Sequence, residues 1–174
     1  MKVRSLTNTN RAAALANQIT AGLFNRSMLV VPNCYWAGHE ADLLVVTPCM
    51  RLVDVELKIS RSDLKADINK DKWWKHQAWS RRHQPRSRND WPPKVWKHYY
   101  AMPAQIWEQK LLESLPAVSG VILVHDQKLP QRPQFEILRR AKPNKEAPVL
   151  APSNICDLAR LTSIRYWSLR KEIA

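Results

Sequence analysis

The chain has 174 residues, 45% of them hydrophobic and 25% charged, with 3 Gly and 3 Cys. Those figures suit one compact domain and exclude wholesale disorder or collagen-like repetition. Twenty-eight Lys+Arg against 15 Asp+Glu leave a net charge of +13, an excess that suits a polyanion, most often nucleic acid.

No apolar run approaches the roughly 18 residues of a membrane span, so no membrane partner is expected. Cys34, Cys49 and Cys156 are dispersed and form no CxxC pair. They exclude a disulfide framework and a cysteine zinc site, and fit a reducing cytoplasm.

The first 39 residues hold no Asp or Glu. Their composition resembles a mitochondrial presequence; the reading preferred here is an ordinary first helix. Asn8, Thr9 or Asn10 would cap it, Ala13, Ala16, Ile19, Ala21 and Leu23 would form its apolar face, and Asn25 would close it. Residues 28–36 (MLVVPNCYW) read as a short buried strand interrupted at Pro32. Two Val/Leu-rich runs follow, 40–47 (EADLLVVT) and 51–59 (RLVDVELKI), separated by Pro48-Cys49-Met50 and expected to pair as a β-hairpin. Ser60 or Ser62 caps the next helix, with Asp63 in its first turn and Leu64, Ile68 and Trp74 on its buried side.

Residues 75–98 break the regular pattern with a dense mixture of Lys/Arg, His, Trp and Pro. Strand propensity returns at 98–102 and 118–125, with a short helix around 104–112 between them and an edge strand at 134–138. A Pro-rich connection leads to a last helix from Ser153 or Asn154 to about Glu172, where Ile155, Leu158, Leu161, Ile164 and Leu169 have helical spacing. The order of elements predicts an α/β domain, a mixed central sheet flanked by helices, occupying 1–174 as one unit with its core in about 11–126.

Sorting the hairpin by parity puts Ala41, Leu43, Val45, Val53, Val55, Leu57 and Ile59 on one wholly apolar face. The other face carries Glu40, Asp42, Asp54, Glu56 and Lys58 among Leu44, Val46 and Leu52. With the turn centred on Cys49, Asp42 falls opposite Glu56 and Glu40 opposite Lys58. Opposed Cβ atoms lie about 4.5–5.5 Å apart, where two carboxylates repel. A divalent cation removes the conflict, and Mg²⁺ prefers one or two carboxylates plus waters and phosphate oxygens. Asp42 and Glu56 are the candidate ligands, with the Leu57 carbonyl as a third oxygen and Mn²⁺ as a substitute ion. Lys58 projects on the same face, placed to stabilise an attacking hydroxide or the charge developing on phosphorus. The pattern D…E-x-K thus predicts metal-assisted phosphodiester hydrolysis.

The run EADLLVV…VDVELKISRSDLKADINKDKWWKH resembles the PD-(D/E)XK nuclease superfamily, in particular small single-domain phage and bacterial members including the MmcB-like DNA repair group. KHYYAMPAQIW…LPAVSGVILV resembles that group's aromatic strand, helix and following strand, so the likeness spans about 11–126. It implies a restriction-endonuclease-like fold, Asp42 and Glu56 as metal-binding acids, Lys58 as catalytic lysine, and a role in DNA repair, recombination or phage DNA processing. Ser60, Asp63, Asp67 and Lys72 match the signature that follows. Many members carry a further acid on the first helix; here that helix offers Asn17 and Gln18, leaving Gln18 as an auxiliary candidate. Glu40 has two readings, auxiliary ligand or ion-pair partner of Lys58.

Arg61, Lys72, Lys75, Arg81, Arg82, Arg86 and Arg88 are the candidate phosphate contacts, with Trp79, Trp91 or Trp96 available to stack on a base. Two other functions are open: a catalytically silent DNA-binding or repair-partner protein, and a basic RNA-binding module. One active site cuts one strand, so double-strand cleavage would point to a homodimer.

Overall fold

A computed structural model of the protein describes residues 8–75, 87–125 and 134–173. The expected α/β architecture is what it shows. Helix α1 (Asn8–Leu23) is followed by strands β1 (Leu29–Tyr35), β2 (Glu40–Val46) and β3 (Leu52–Leu57) and by the short helix α2 (Arg61–Ala66). Then come β4 (Lys97–Pro103), β5 (Gly120–His125), β6 (Gln134–Arg139) and the long helix α3 (Pro152–Ile173). The six strands form one sheet in sequence order. Strands β1, β2 and β3 run antiparallel, β3, β4 and β5 parallel, and β6 returns antiparallel at the edge.

The hairpin forms in the register that its alternation predicts, with Leu43 opposite Val55 and Leu44 opposite Asp54. Thr47 fixes the turn, its hydroxyl accepting from the Arg51 N–H at 3.1 Å and donating to the Arg51 carbonyl at 3.0 Å. The expected break at Pro32 falls one residue later. Pro32 pairs with Leu43, which an edge strand tolerates, whereas Asn33 has φ 46° and drops out of the ladder. Where β1 bends there, Ala41 packs with Val31, Cys34 and Leu44 rather than with the α1-facing residues of its hairpin.

One face of the sheet is apolar apart from Lys97 at the start of β4. Leu15 and Ile19 of α1 seal it over Leu43, Val45, Val53, Val55, Leu57, Ala101, Ile122 and Val124. The stripe is centred on Leu15 and Ile19, so Ala13 and Ala21, expected on it, are exposed. The opposite face is covered in two patches. Helix α3 packs Ile155, Leu158 and Leu161 over Val31, Leu44, Val46 and Leu52. Leu64 and Trp73 join Tyr100, Met102, Leu111, Val121 and Leu123 in the other. Between these patches the same face carries Asp54, Glu56 and Lys58.

Ser60 caps α2 as expected, its hydroxyl accepting from the Asp63 N–H at 3.2 Å. The helix is shorter than its spacing suggests, giving way to 3₁₀ turns at Asp67–Asn69 and Asp71–Trp73. Asp and Asn compete for backbone hydrogen bonds and favour such turns. The buried aromatic is therefore Trp73, with Trp74 half-buried. The helix expected at 104–112 is likewise two 3₁₀ turns, Ala104–Ile106 and Gln109–Ser114.

Candidate functional site

The paired β2–β3 register, continued by one position, places Asp42 beside Glu56. Asp42 sits at the mouth of the pair, half-buried, its Oδ2 accepting from the Leu57 N–H at 2.7 Å. A strand residue's N–H and C=O point to the same side, so the Leu57 carbonyl faces the same edge. Burial, then the neighbouring Glu56, push the Asp42 carboxyl up to about 6, against the Leu57 hydrogen bond and the lysines.

Glu56 is fully buried and surrounded by ammonium groups. Its Oε2 accepts from Lys58 Nζ at 3.1 Å and Lys70 Nζ at 3.0 Å, and its Oε1 from Lys72 Nζ at 2.6 Å. Asp67, also buried, accepts from Lys58 Nζ at 2.8 Å and from the Tyr100 hydroxyl at 2.7 Å. Lys70 and Lys72 approach it at 3.0 and 3.5 Å. Burial alone would raise both carboxyls, but Lys72 above all, and then Lys58, hold them below their ordinary range. Burial would conversely lower the Lys58 ammonium, and Glu56 and Asp67 reverse that, so Lys58 stays charged.

A further layer lies behind. Asp54 Oδ2 accepts from His39 Nε2 at 3.0 Å and lies 3.8 Å from His98 Nε2. Lys72 Nζ is 3.2 Å from His98 Nε2. An ammonium only donates, so that nitrogen is the acceptor and His98 Nδ1–H donates to Ser119 Oγ at 2.9 Å. Burial and Lys72 push the imidazole down to about 3, keeping it neutral. Parallel pairing of β3 with β4 builds this layer by setting His98 opposite Asp54 and Tyr100 opposite Glu56.

Three ammonium groups thus offset Asp54, Glu56 and Asp67, and Asp42 is the carboxylate in surplus. Among the described residues no ammonium or guanidinium lies within ion-pair distance of it. Two buried atoms, Asp54 Oδ1 and His39 Nδ1, have no hydrogen-bond partner among the described residues. A cleft of about 310 Å³, lined by Tyr35, Gly38, His39, Glu40, Lys70, Asp71 and Lys72, opens beside the cluster.

The other expected residues scatter. Glu40 is exposed and paired with Tyr35 across β1, and its ion pair with Lys58 does not form because Lys58 turns inward to Glu56 and Asp67. Asp63 stands at the rim, 3.8 Å from Lys58. Gln18 lines a cleft of about 350 Å³ with Arg11, Leu15, Ile59 and Pro103, and neither Asp42 nor Glu56 is in that lining. Lys72, expected to face a backbone phosphate, is 3% exposed and spent on Glu56. Arg61 pairs with Glu108 and donates to the Ile106 carbonyl. Lys75 and Arg88 are exposed and share a cleft of about 500 Å³ with Asn89, Trp91, Asn144 and Lys145. Arg81, Arg82, Arg86 and Trp79 lie outside the described residues.

The spacing assigns no role in the site to Asp54, His39, His98 or Tyr100. Asp54 stands two residues before Glu56 on the same face, whereas His39, His98 and Tyr100 join the cluster only through the pairing of β3 with its neighbours.

No family model matches the chain, and no curated protein does. Among solved structures it is similar to the SPO1766 protein of unknown function from Silicibacter pomeroyi. The identity is 20%, the TM-score 0.52, and the match covers 91% of this chain and 88% of that one. At that identity the likeness shows the fold: a six-stranded mixed sheet flanked by helices. No described helix is long and apolar enough to cross a membrane.

Proposed function

We propose that the protein is a Mg²⁺-dependent nuclease of the restriction-endonuclease-like type, acting on DNA at the Asp42–Glu56 pair. The observation that carries this reading is the surplus carboxylate. Asp42 is forced beside Glu56 by the hairpin register, and its carboxyl is raised to about 6 by burial and that neighbour. A sheet gains nothing from holding two acids together unless a cation joins them.

The donors fit a hard cation in kind. Asp42 and Glu56 supply two carboxylates and Leu57 a carbonyl, which meets the modest protein-ligand count Mg²⁺ needs. Among the described residues there is no group of three or more His, Cys, Asp and Glu side chains disposed to hold a metal, so the remaining positions would fall to water and phosphate. A divalent ion bound there would polarise a phosphodiester and acidify a water. Lys58 is held charged and in place by Glu56 and Asp67, as a group stabilising negative charge at phosphorus should be. Asp67, Tyr100 and Trp73 position that lysine. The +13 net charge supports a polyanionic substrate; the cleft lined by Lys75, Arg88 and Lys145 also holds Asp90 and Glu146, so its local excess is a single positive charge.

A second reading has its own observation. Lysines already occupy both oxygens of Glu56, as in a silent member of such a fold that only binds DNA. Incubating the protein with single-stranded, nicked and branched DNA in Mg²⁺ or Mn²⁺ separates the two. Cleavage that disappears in Asp42→Asn and Lys58→Met, with DNA binding kept, supports the nuclease. Binding without cleavage by the wild type supports the silent protein, and cleavage persisting in both variants removes the assignment of the site.

A further inference from the structure

The three ammonium groups on Glu56 are not equivalent. Lys58 and Lys72 are 1% and 3% exposed, and each is tied to at least one further buried partner, Asp67 for Lys58 and His98 for Lys72. Moving either would expose a buried charge site and leave acids unpaired, a costly change. The Lys70 side chain is 45% exposed. Its Nζ lies 3.0 Å from Glu56 Oε2 and 3.0 Å from Asp67 Oδ1. Its backbone is the extended link between two 3₁₀ turns, φ −63° and ψ 146°. The side chain therefore hangs from a connector and lines the 310 Å³ cleft, so that it can withdraw by changing rotamer alone.

Lys70 also acts on both acids of the pair. It contributes to the field on Asp42, and it takes the same Glu56 oxygen that Lys58 uses. The cleft wall beside it holds His39, 5% exposed, whose Nδ1 has no partner among the described residues. That wall is polar and incompletely satisfied, as at a place where another group enters.

We propose that Lys70 is a displaceable internal cation: a divalent ion takes its place on Glu56, and Lys70 swings out into the cleft as the ion binds. This rests on the reading of Asp42 and Glu56 as a metal-binding pair. It follows that the free protein is held in an ion-excluding state, and that affinity for the ion is lowered by the fraction of time Lys70 spends on Glu56. No covalent step is involved, only exchange of one cation for another on the same carboxylate.

Mn²⁺ binding, measured by the electron-spin resonance signal of the free ion during titration of the purified protein, tests this without any cleavage assay. Wild type, Lys70→Met, Lys70→Gln and Asp42→Asn are compared, with the urea midpoint confirming that each is folded. The expected result is Mn²⁺ binding at least about tenfold tighter in both Lys70 variants than in wild type, and lost in Asp42→Asn. Equal or weaker affinity in the Lys70 variants, with wild-type binding still dependent on Asp42, overturns the displacement while leaving the metal site in place. No saturable binding in any form, or binding indifferent to Asp42→Asn, overturns the metal site and this inference together.

Discussion

Asp67→Asn removes one charge from the centre of the buried network while keeping the shape of the side chain. Asp67 accepts from Lys58 at 2.8 Å, Tyr100 at 2.7 Å and Trp73 Nε1 at 3.4 Å, and lies 3.5 Å from Lys72. Without its charge, two buried ammonium groups face Glu56 and Asp54 alone, and an amide N–H₂ must sit among donors. Breaking a buried ion pair on one side costs about 3–5 kcal/mol. Against a total stability of about 5–15 kcal/mol that is a large share. At about 2–4 °C per kcal/mol for a domain of this size, the melting temperature should fall by roughly 6–20 °C. Urea unfolding at pH 7, followed by tryptophan fluorescence, measures the loss. The loss also depends on pH. Burial would raise the Asp67 carboxyl, but Lys72 and Lys58 hold it below its ordinary 3.8. A depressed carboxyl contributes stability above its unfolded-state value and loses it as pH falls toward the folded one. The gap between wild type and variant should therefore be full at pH 7 and close progressively below about pH 4. A loss under about 1 kcal/mol at pH 7 would refute the argument that Asp67 organises the lysines.

Asp42 should behave in the opposite sense. Its folded-state carboxyl is raised from 3.8 to about 6, so the folded protein is penalised as pH rises between those values and carries the full penalty above them. That displacement corresponds to about 3 kcal/mol at most, so Asp42→Asn should melt higher than wild type at pH 8 and no higher at pH 4; a variant that melts lower at pH 8 contradicts it. Added Mg²⁺ should raise the melting temperature of wild type at pH 8 and leave Asp42→Asn unmoved, as read by differential scanning calorimetry. In the sheet, a Cβ added at Gly120 would lie 2.3 Å from the Tyr99 ring and 2.8 Å from the Ala141 backbone nitrogen. Gly120→Ala should therefore cost about 1–3 kcal/mol by overpacking in urea unfolding, and an unchanged midpoint would mean that β5 lies further from that backbone.

Much of this fold can be read in the sequence, because alternation in the hairpin is strict. Leu43, Val45, Val53 and Val55 share one side, and the turn length alone sets Asp42 against Glu56. The covering of the opposite side cannot be read the same way. Asp54, Glu56, Lys58, Asp67 and Lys72 look like solvated residues to any hydrophobic pattern, yet they are buried because their charges offset one another. Lys72, which the sequence offers as a phosphate contact, is turned inward on that account. His98 and Tyr100 reach the cluster through parallel pairing across the 75–98 stretch, a connection that no local spacing encodes. Lys70 keeps to the Asp63–Asp67 side past the end of α2, an i, i+3 neighbour of Asp67, and the turn there brings its ammonium to Glu56 as well.

The pair of acids at the mouth of β2 and β3 can be examined directly. A crystal of the protein soaked in Mn²⁺ should show an anomalous-scattering peak between Asp42 and Glu56, within ligand distance of the Leu57 carbonyl, with the Lys70 ammonium withdrawn from Glu56. The same soak of Asp42→Asn should show none there. An empty site in wild type at millimolar Mn²⁺, with all three lysines still on Glu56, would contradict the account.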